Sequence, residues 1–211
     1  MTATAAIAPA AIQRALPPEE AARGGFYALV ARLLHSAPDA ALLASLAAAE
    51  PLPADGNRAL AAAWRDLVDA SSVMDPEAAA EEYESLFVGV GHAEVSIYAG
   101  YYNGAPSIDH PRVRIQADLA AFGLARRAEV HEPEDHYAGL FDVMRVLVCG
   151  GAGRAAAPVA EQRRFFQAHI EPGIAAFARA VEGSPKANYY RRVAAFVQAF
   201  AALESESFLL D

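Results

Sequence analysis

The residues with the widest chemical repertoire in this chain lie in one short run, His131-Glu132-Pro133-Glu134-Asp135-His136, which sets three carboxylates and two imidazoles around a proline. A carboxylate beside a histidine can exchange protons as an acid/base pair, hold a metal ion, or receive the cationic side chains of a partner. The same run is also read as a plain helix start. Pro133, Glu134 and Asp135 would fill a first turn, where proline loses no hydrogen bond and acids complement the helix dipole. That reading explains the acids and the proline but not a histidine beside Asp135.

The enzymatic uses lack the rest of their machinery. A di-iron bundle needs Glu-x-x-His on two helices, and that spacing occurs nowhere in the chain; nor does the His-Glu-x-x-His of a zinc hydrolase. Neither Gly89-Val90-Gly91 nor the glycines from Gly150 to Arg154 run into the Gly-Lys-Ser/Thr of a phosphate loop, so they read as hinges. Ser96 stands in no Gly-x-Ser-x-Gly frame. The expectation is no catalytic residue, no metal and no cofactor. A small helical hydrolase or nucleotide-dependent factor using Asp135 and His136 is the competing reading, and an adaptor for some other amphipathic segment is a third.

Charge narrows the partner. Twenty-six acids against 17 Lys and Arg give a formal charge of -9, which opposes phosphate backbones and suits a basic partner. A chain of 211 residues fits one domain or two closely joined small ones, and 55% hydrophobic residues can fill a sizeable core. Cys149 is alone, so no disulfide forms within the chain, and its apolar context reads as a core thiol. The opening MTATAAIAPAAIQRALPP has no basic segment before a long apolar core, and no unbroken apolar run reaches the ~18 residues of a membrane span. A cytoplasmic protein without nucleic acid or stable membrane association is expected.

The elements that must position the run are helices. Phe26, Leu29, Val30, Leu33 and Leu34 recur at helical spacing after Pro17-Pro18-Glu19-Glu20. A short helix follows, capped by Ser36 or Asp39 and stopped by Pro51 and Pro53. A third starts near Asp55 and carries Leu60, Trp64, Leu67 and Val68, with Trp64 read as core. Asp75 and Pro76 open a fourth, which ends at Gly89 or Gly91 and places Tyr83, Leu86 and Phe87 on one buried face. The Tyr- and Gly-rich stretch after it has no helical pattern and at most one weak strand, Val95 to Ala99. Pro111 to Phe122, with Val113, Leu119 and Phe122 inward and Gly123 past its end, is the next helix. Then come the helix after the acidic run, one through Val159 to Ile170, one over Gly173 to Val181, and one from Tyr189 through Leu203. The expected architecture is an all-α helical bundle: a flexible tail over 1–18, an N-terminal helical part over 19–91, a hinge loop over 92–110 and a C-terminal helical part over 111–211.

Set in order, these motifs resemble the TorD/DmsD/NarJ family of chaperones for molybdoenzymes. Glu82 to Gly89 (EYESLFVG) is similar to the family's Tyr-x-x-Leu-Phe-x-Gly, Ser96 to Tyr98 (SIY) to its Ser-x-Tyr, and Glu132 to His136 (EPEDH) to its Glu-Pro-x-Asp-His. The likeness runs over about residues 20 to 205. It departs at Gly139-Leu140, where many members carry an acid, and at Gly173, where a Trp is common. The resemblance implies an all-helical protein without turnover that binds the twin-arginine signal peptide and the immature catalytic subunit of a molybdenum-cofactor oxidoreductase, delaying export until cofactor is inserted. It leaves formate dehydrogenase and dimethyl-sulfoxide-reductase-like subunits as alternative clients, and a monomer or a weak, domain-swapped dimer as alternative states. It implies leader binding by Asp135 and His136. Around them the expected site comprises Glu132 and Glu134 for charge, Pro133 and Ser96 from the motifs, and Tyr98, Tyr101, Tyr102 and the apolar face of the following helix for a groove. Tyr83, Leu86, Phe87 and Gly89 are the expected motif core.

Overall fold

The computed structural model describes residues 16–53, 56–89, 92–103, 111–127, 130–151 and 153–210. It is all-helical: α1 (Pro18–His35), α2 (Ala40–Ala47), α3 (Arg58–Val73), α4 (Pro76–Tyr83) with a π-helical turn over Glu84–Val88, α5 (Ala99–Tyr102), α6 (Pro111–Ala121), α7 (Tyr137–Cys149), α8 (Val159–His169), α9 (Glu171–Gly183) and α10 (Tyr189–Leu210). Among the described residues the β-type pairings are two isolated bridges, one of them Tyr98 with His136, which replaces the weak strand expected there. Most of the expected tail, Asp55, Gly91 and the end of the hinge loop lie outside the described residues.

Local chemistry sets the helix ends. Asp39 accepts from the Leu42 amide, Asn57 from Leu60, and Asp75 from Glu77 and Ala78 ahead of Pro76. The π turn closes with the Gly89 amide donating to the Glu84 carbonyl at 2.8 Å. Gly89 then takes φ +62°, and a Cβ there would collide with the His92 backbone, so only glycine makes this exit. Leu86 and Phe87 are buried as expected, while Tyr83 is half-buried and donates its hydroxyl to the Leu34 and His35 carbonyls at the end of α1.

The core joins elements far apart in sequence. Phe26 of α1 meets Trp64 of α3 and Phe196 and Phe200 of α10 at 5.4–5.6 Å between ring centroids. Tyr27 reaches Phe141 of α7 at 5.9 Å, along the long face that α1 and α7 share. Among the described residues α10 is the one helix long and apolar enough, by length and composition, to cross a membrane. Its Tyr190, Val193, Phe196, Val197 and Phe200 are instead buried inside the bundle, where α10 packs on α3 and α9. Two inward assignments change. Val113 is exposed, and Ile115 takes its place with Leu119 and Phe122 on the buried face of α6; Cys149 is half-buried, against Gly24.

Candidate functional site

The acidic run is not the first turn of α7. Pro133, Glu134 and Asp135 form a turn ahead of the helix, closed by the His136 amide on the Pro133 carbonyl at 3.0 Å. His136 is the N-cap: its Nδ1 accepts from the Ala138 amide at 3.1 Å. The cap places the proton on Nε2. Burial pushes this imidazole down to about 4, with the charge of Glu132 opposing the shift, so at neutral pH it is an uncharged structural acceptor. The switching near neutrality that a histidine can supply is therefore not available to His136.

The turn is clamped to the Tyr-rich segment by backbone. Ala99 donates to the Asp135 carbonyl at 2.8 Å, Tyr137 donates to the Ile97 carbonyl at 3.1 Å, and the Tyr98 ring stands edge-on to His136 at 5.4 Å. Thirty-odd residues of separation vanish at this juncture. Gly100 makes the approach possible, since a Cβ there would come within 2.8 Å of Asp135 Oδ2. Ser96 accepts from the Tyr98 amide at 3.4 Å, and its carbonyl takes the Tyr102 hydroxyl at 2.8 Å. Tyr102 is half-buried beneath Tyr101, whose ring lies at 4.9 Å and is 74% exposed. Tyr102 also packs on Phe177 of α9, where a side chain at Gly173 would meet Asn103 Oδ1 at 2.5 Å and the Tyr137 hydroxyl at 2.7 Å. No tryptophan fits there.

A groove of about 630 Å³ opens beside the juncture. Glu132, Pro133, Glu134 and His136 line it; Asp135, Ser96, Tyr98, Tyr101 and Tyr102 do not. The expected tyrosine wall is therefore replaced by small and aliphatic side chains of α1, α6 and α7, such as Ala28, Ala31, Leu119, Val143 and Val146. These leave more room than rings would. Asp135 and Tyr101 belong to the other side of the same turn.

The electrostatics also differ from an open acidic surface. Asp135, 4% exposed, accepts from Arg112 Nε at 2.9 Å, and Glu134 pairs with Arg126 at 3.3 Å. Glu134 is held below the usual carboxylate range, first by its own backbone amide and then by Gln116 and Arg126; Glu132 is lowered mainly by its own amide and the nearby histidines. The groove rim carries Arg32, Arg126, Arg127 and Arg145 against Glu132, Glu134 and Asp142. The -9 charge is spread elsewhere.

Arg112 and Arg126 escaped the sequence reading, as did Glu82, whose carboxylate accepts from the Asn188, Tyr189 and Tyr190 amides at 2.7–3.0 Å and so caps α10. One signal pointed to Arg112, which sits in the first turn of α6, where the dipole disfavours a cation; Glu82 sits where α4 runs on into the π-helical turn and gave no such sign. Each serves a different element from its own. Among the described residues no three His, Cys, Asp or Glu side chains group as a metal site.

Fold and juncture together define an all-helical scaffold whose motifs meet at a surface beside an open groove. A family model described as nitrate reductase delta subunit matches residues 54–179, more than half of the chain and inclusive of every element of the juncture. The chain belongs to that family, one of chaperones for molybdoenzyme maturation. No curated protein matches it.

Proposed function

We propose that this protein is a cytoplasmic chaperone that binds the twin-arginine signal peptide and immature catalytic subunit of a molybdenum-cofactor oxidoreductase, holding it for cofactor insertion before export. It acts by binding, with no bond chemistry, as a monomer or a weak, domain-swapped dimer. The observation that carries this reading is the clamp of residues 96–102 onto Glu132–His136 beside an apolar groove. A twin-arginine leader joins guanidinium groups to an apolar stretch, and a receptor for it needs carboxylates at the edge of an apolar channel. Glu132 and Glu134 stand at the edge of the groove with Asp135 behind them in the same turn, and the lining from α1, α6 and α7 supplies the channel. His136 contributes by holding the turn, and Tyr101 offers an exposed ring on which a guanidinium can stack. The family membership supports the kind of client.

The test is titration calorimetry of the chain against a synthetic leader and against the same peptide with both arginines replaced by glutamine. Only the arginine-bearing peptide should bind well, and Asp135→Asn should remove the difference. Equal binding of the two peptides by the native chain would overturn the reading. The acid/base alternative fares worse here: His136 is buried and spends Nδ1 on its helix cap, while the Asp135 carboxylate is taken by Arg112.

A further inference from the structure

We propose that α6 is an internal competitor for the leader, with Arg112 on Asp135, and Arg126 beside it on Glu134, holding in the free chain the two carboxylates that the leader's arginines take. This rests on the leader-binding reading above. Both pairs have the same asymmetry. The Asp135 side chain is 5% exposed while that of Arg112 is 45% exposed; Glu134 is 14% exposed while Arg126 is 40% exposed. A buried carboxylate needs a cation, because an uncompensated one carries the full cost of desolvation. A half-exposed guanidinium does not need the carboxylate, since water takes over its hydrogen bonds when it leaves. An incoming arginine therefore replaces Arg112 with little net loss to the protein, and the acid is never left bare.

The rest of α6 fits a clasp with one fixed end and one exchangeable end. Asp118 near its C-terminus pairs with Arg164 at 2.5 Å and His169 at 2.7 Å on α8, and Phe122 packs on Phe165 at 6.1 Å with Arg164 over its ring. At the N-terminal end, Arg112 stands in the first turn against the helix dipole, so its own helix does not favour it. Between the two ends Ile115 and Leu119 line the groove. Exchange of Arg112 for a leader arginine frees the N-terminal end of α6, the helix whose Ile115 and Leu119 form part of the groove wall, which couples charge recognition at Asp135 to the shape of the groove offered to the apolar part of the leader. The closed pair lowers apparent affinity for any ligand lacking a guanidinium to trade for it, a selectivity device as much as an inhibitory one.

The experiment uses the full chain, its Arg112→Gln, Asp135→Asn and double variants, and the arginine-bearing and glutamine-bearing synthetic leaders. Arg112→Gln should bind the arginine-bearing peptide about two- to fivefold more tightly than the native chain, the range expected for removal of one partly exposed ion pair. The gain should vanish in Arg112→Gln/Asp135→Asn. If the native chain separates the two peptides and Asp135→Asn abolishes that separation, yet Arg112→Gln binds no more tightly, the competition is refuted and the leader site stands. If the native chain and Arg112→Gln bind both peptides alike, the leader site itself is refuted and the competition with it. Should Arg112→Gln lose its cooperative melt, Arg112→Lys decides: its single, less directed bond should give about a twofold gain, and unchanged or weaker binding refutes the competition.

Discussion

Two buried carboxylates in this molecule are each held by an arginine, and they are built for opposite ends. Glu204 of α10, 3% exposed, receives Arg23 through Nε and Nη2 at 2.7–2.9 Å and also the Tyr27 hydroxyl. Arg23 is itself largely enclosed, bound to Gln162 at 2.7 Å and lying over the Phe208 ring at 5.0 Å. That cluster ties α1, α8 and α10 together with every charge satisfied from inside. Asp135 has the same burial, but among the described residues its side chain is held by the half-exposed Arg112. What separates a structural ion pair from an exchangeable one is the exposure of the cation, not the burial of the acid.

The largest effect should come from the closed pair. Glu204→Ala leaves Arg23 buried without its anion and should lower stability by about 3–5 kcal/mol, seen in urea unfolding, while the folded fraction keeps native affinity for a leader. Asp135→Asn should do the reverse. Its backbone carbonyl still takes the Ala99 amide, so the melt should move by no more than ~1 kcal/mol, while affinity for the arginine-bearing leader falls about thirtyfold, or ~2 kcal/mol. Should the two variants behave alike in both assays, the comparison has no content.

His136 gives the next effect, through pH. Its folded value of about 4 lies below the ordinary 6.5, so the unfolded chain binds the proton first; the stability that a neutral His136 contributes is complete above about pH 6.5 and is lost as pH falls toward 4. Thermal melts from pH 7 to 4.5 should show a decline that His136→Asn, which keeps a capping oxygen, makes shallower by ~1–2 kcal/mol. An identical decline in the variant would remove His136 from the account. Smallest is Tyr101→Ala: with the ring 74% exposed, stability should not change, and leader affinity should fall by about 0.5–1 kcal/mol if the ring stacks on a guanidinium.

The fold was legible because proline, glycine and capping acids punctuate apolar spacing: Asp75-Pro76 opens α4 and Gly89 closes its extension as their chemistry requires. The site was legible as motifs and not as geometry. Asp135 and His136 read as one pair, yet the cap turns His136 toward Ala138 and the groove while Asp135 faces Gly100 and Arg112. A two-residue periodicity argument cannot separate them when a turn replaces the helix. Arg23 with Glu204 is 181 residues apart and leaves no local trace. Arg112 did leave one, as a cation opposed to its own helix dipole, and that misplaced charge holds α6 to the turn ahead of α7.

The central claim is that the juncture of residues 96–102 with Glu132–His136 receives the leader. Amide chemical-shift mapping of the labelled chain during titration with the arginine-bearing peptide tests it most directly. The account predicts that the largest shifts fall on Ile97 to Asn103, on Glu132 to Ala138 and on the first turn of α6, with the Arg23–Glu204 region silent. Shifts gathered on any other face, with those three segments unmoved, would contradict it.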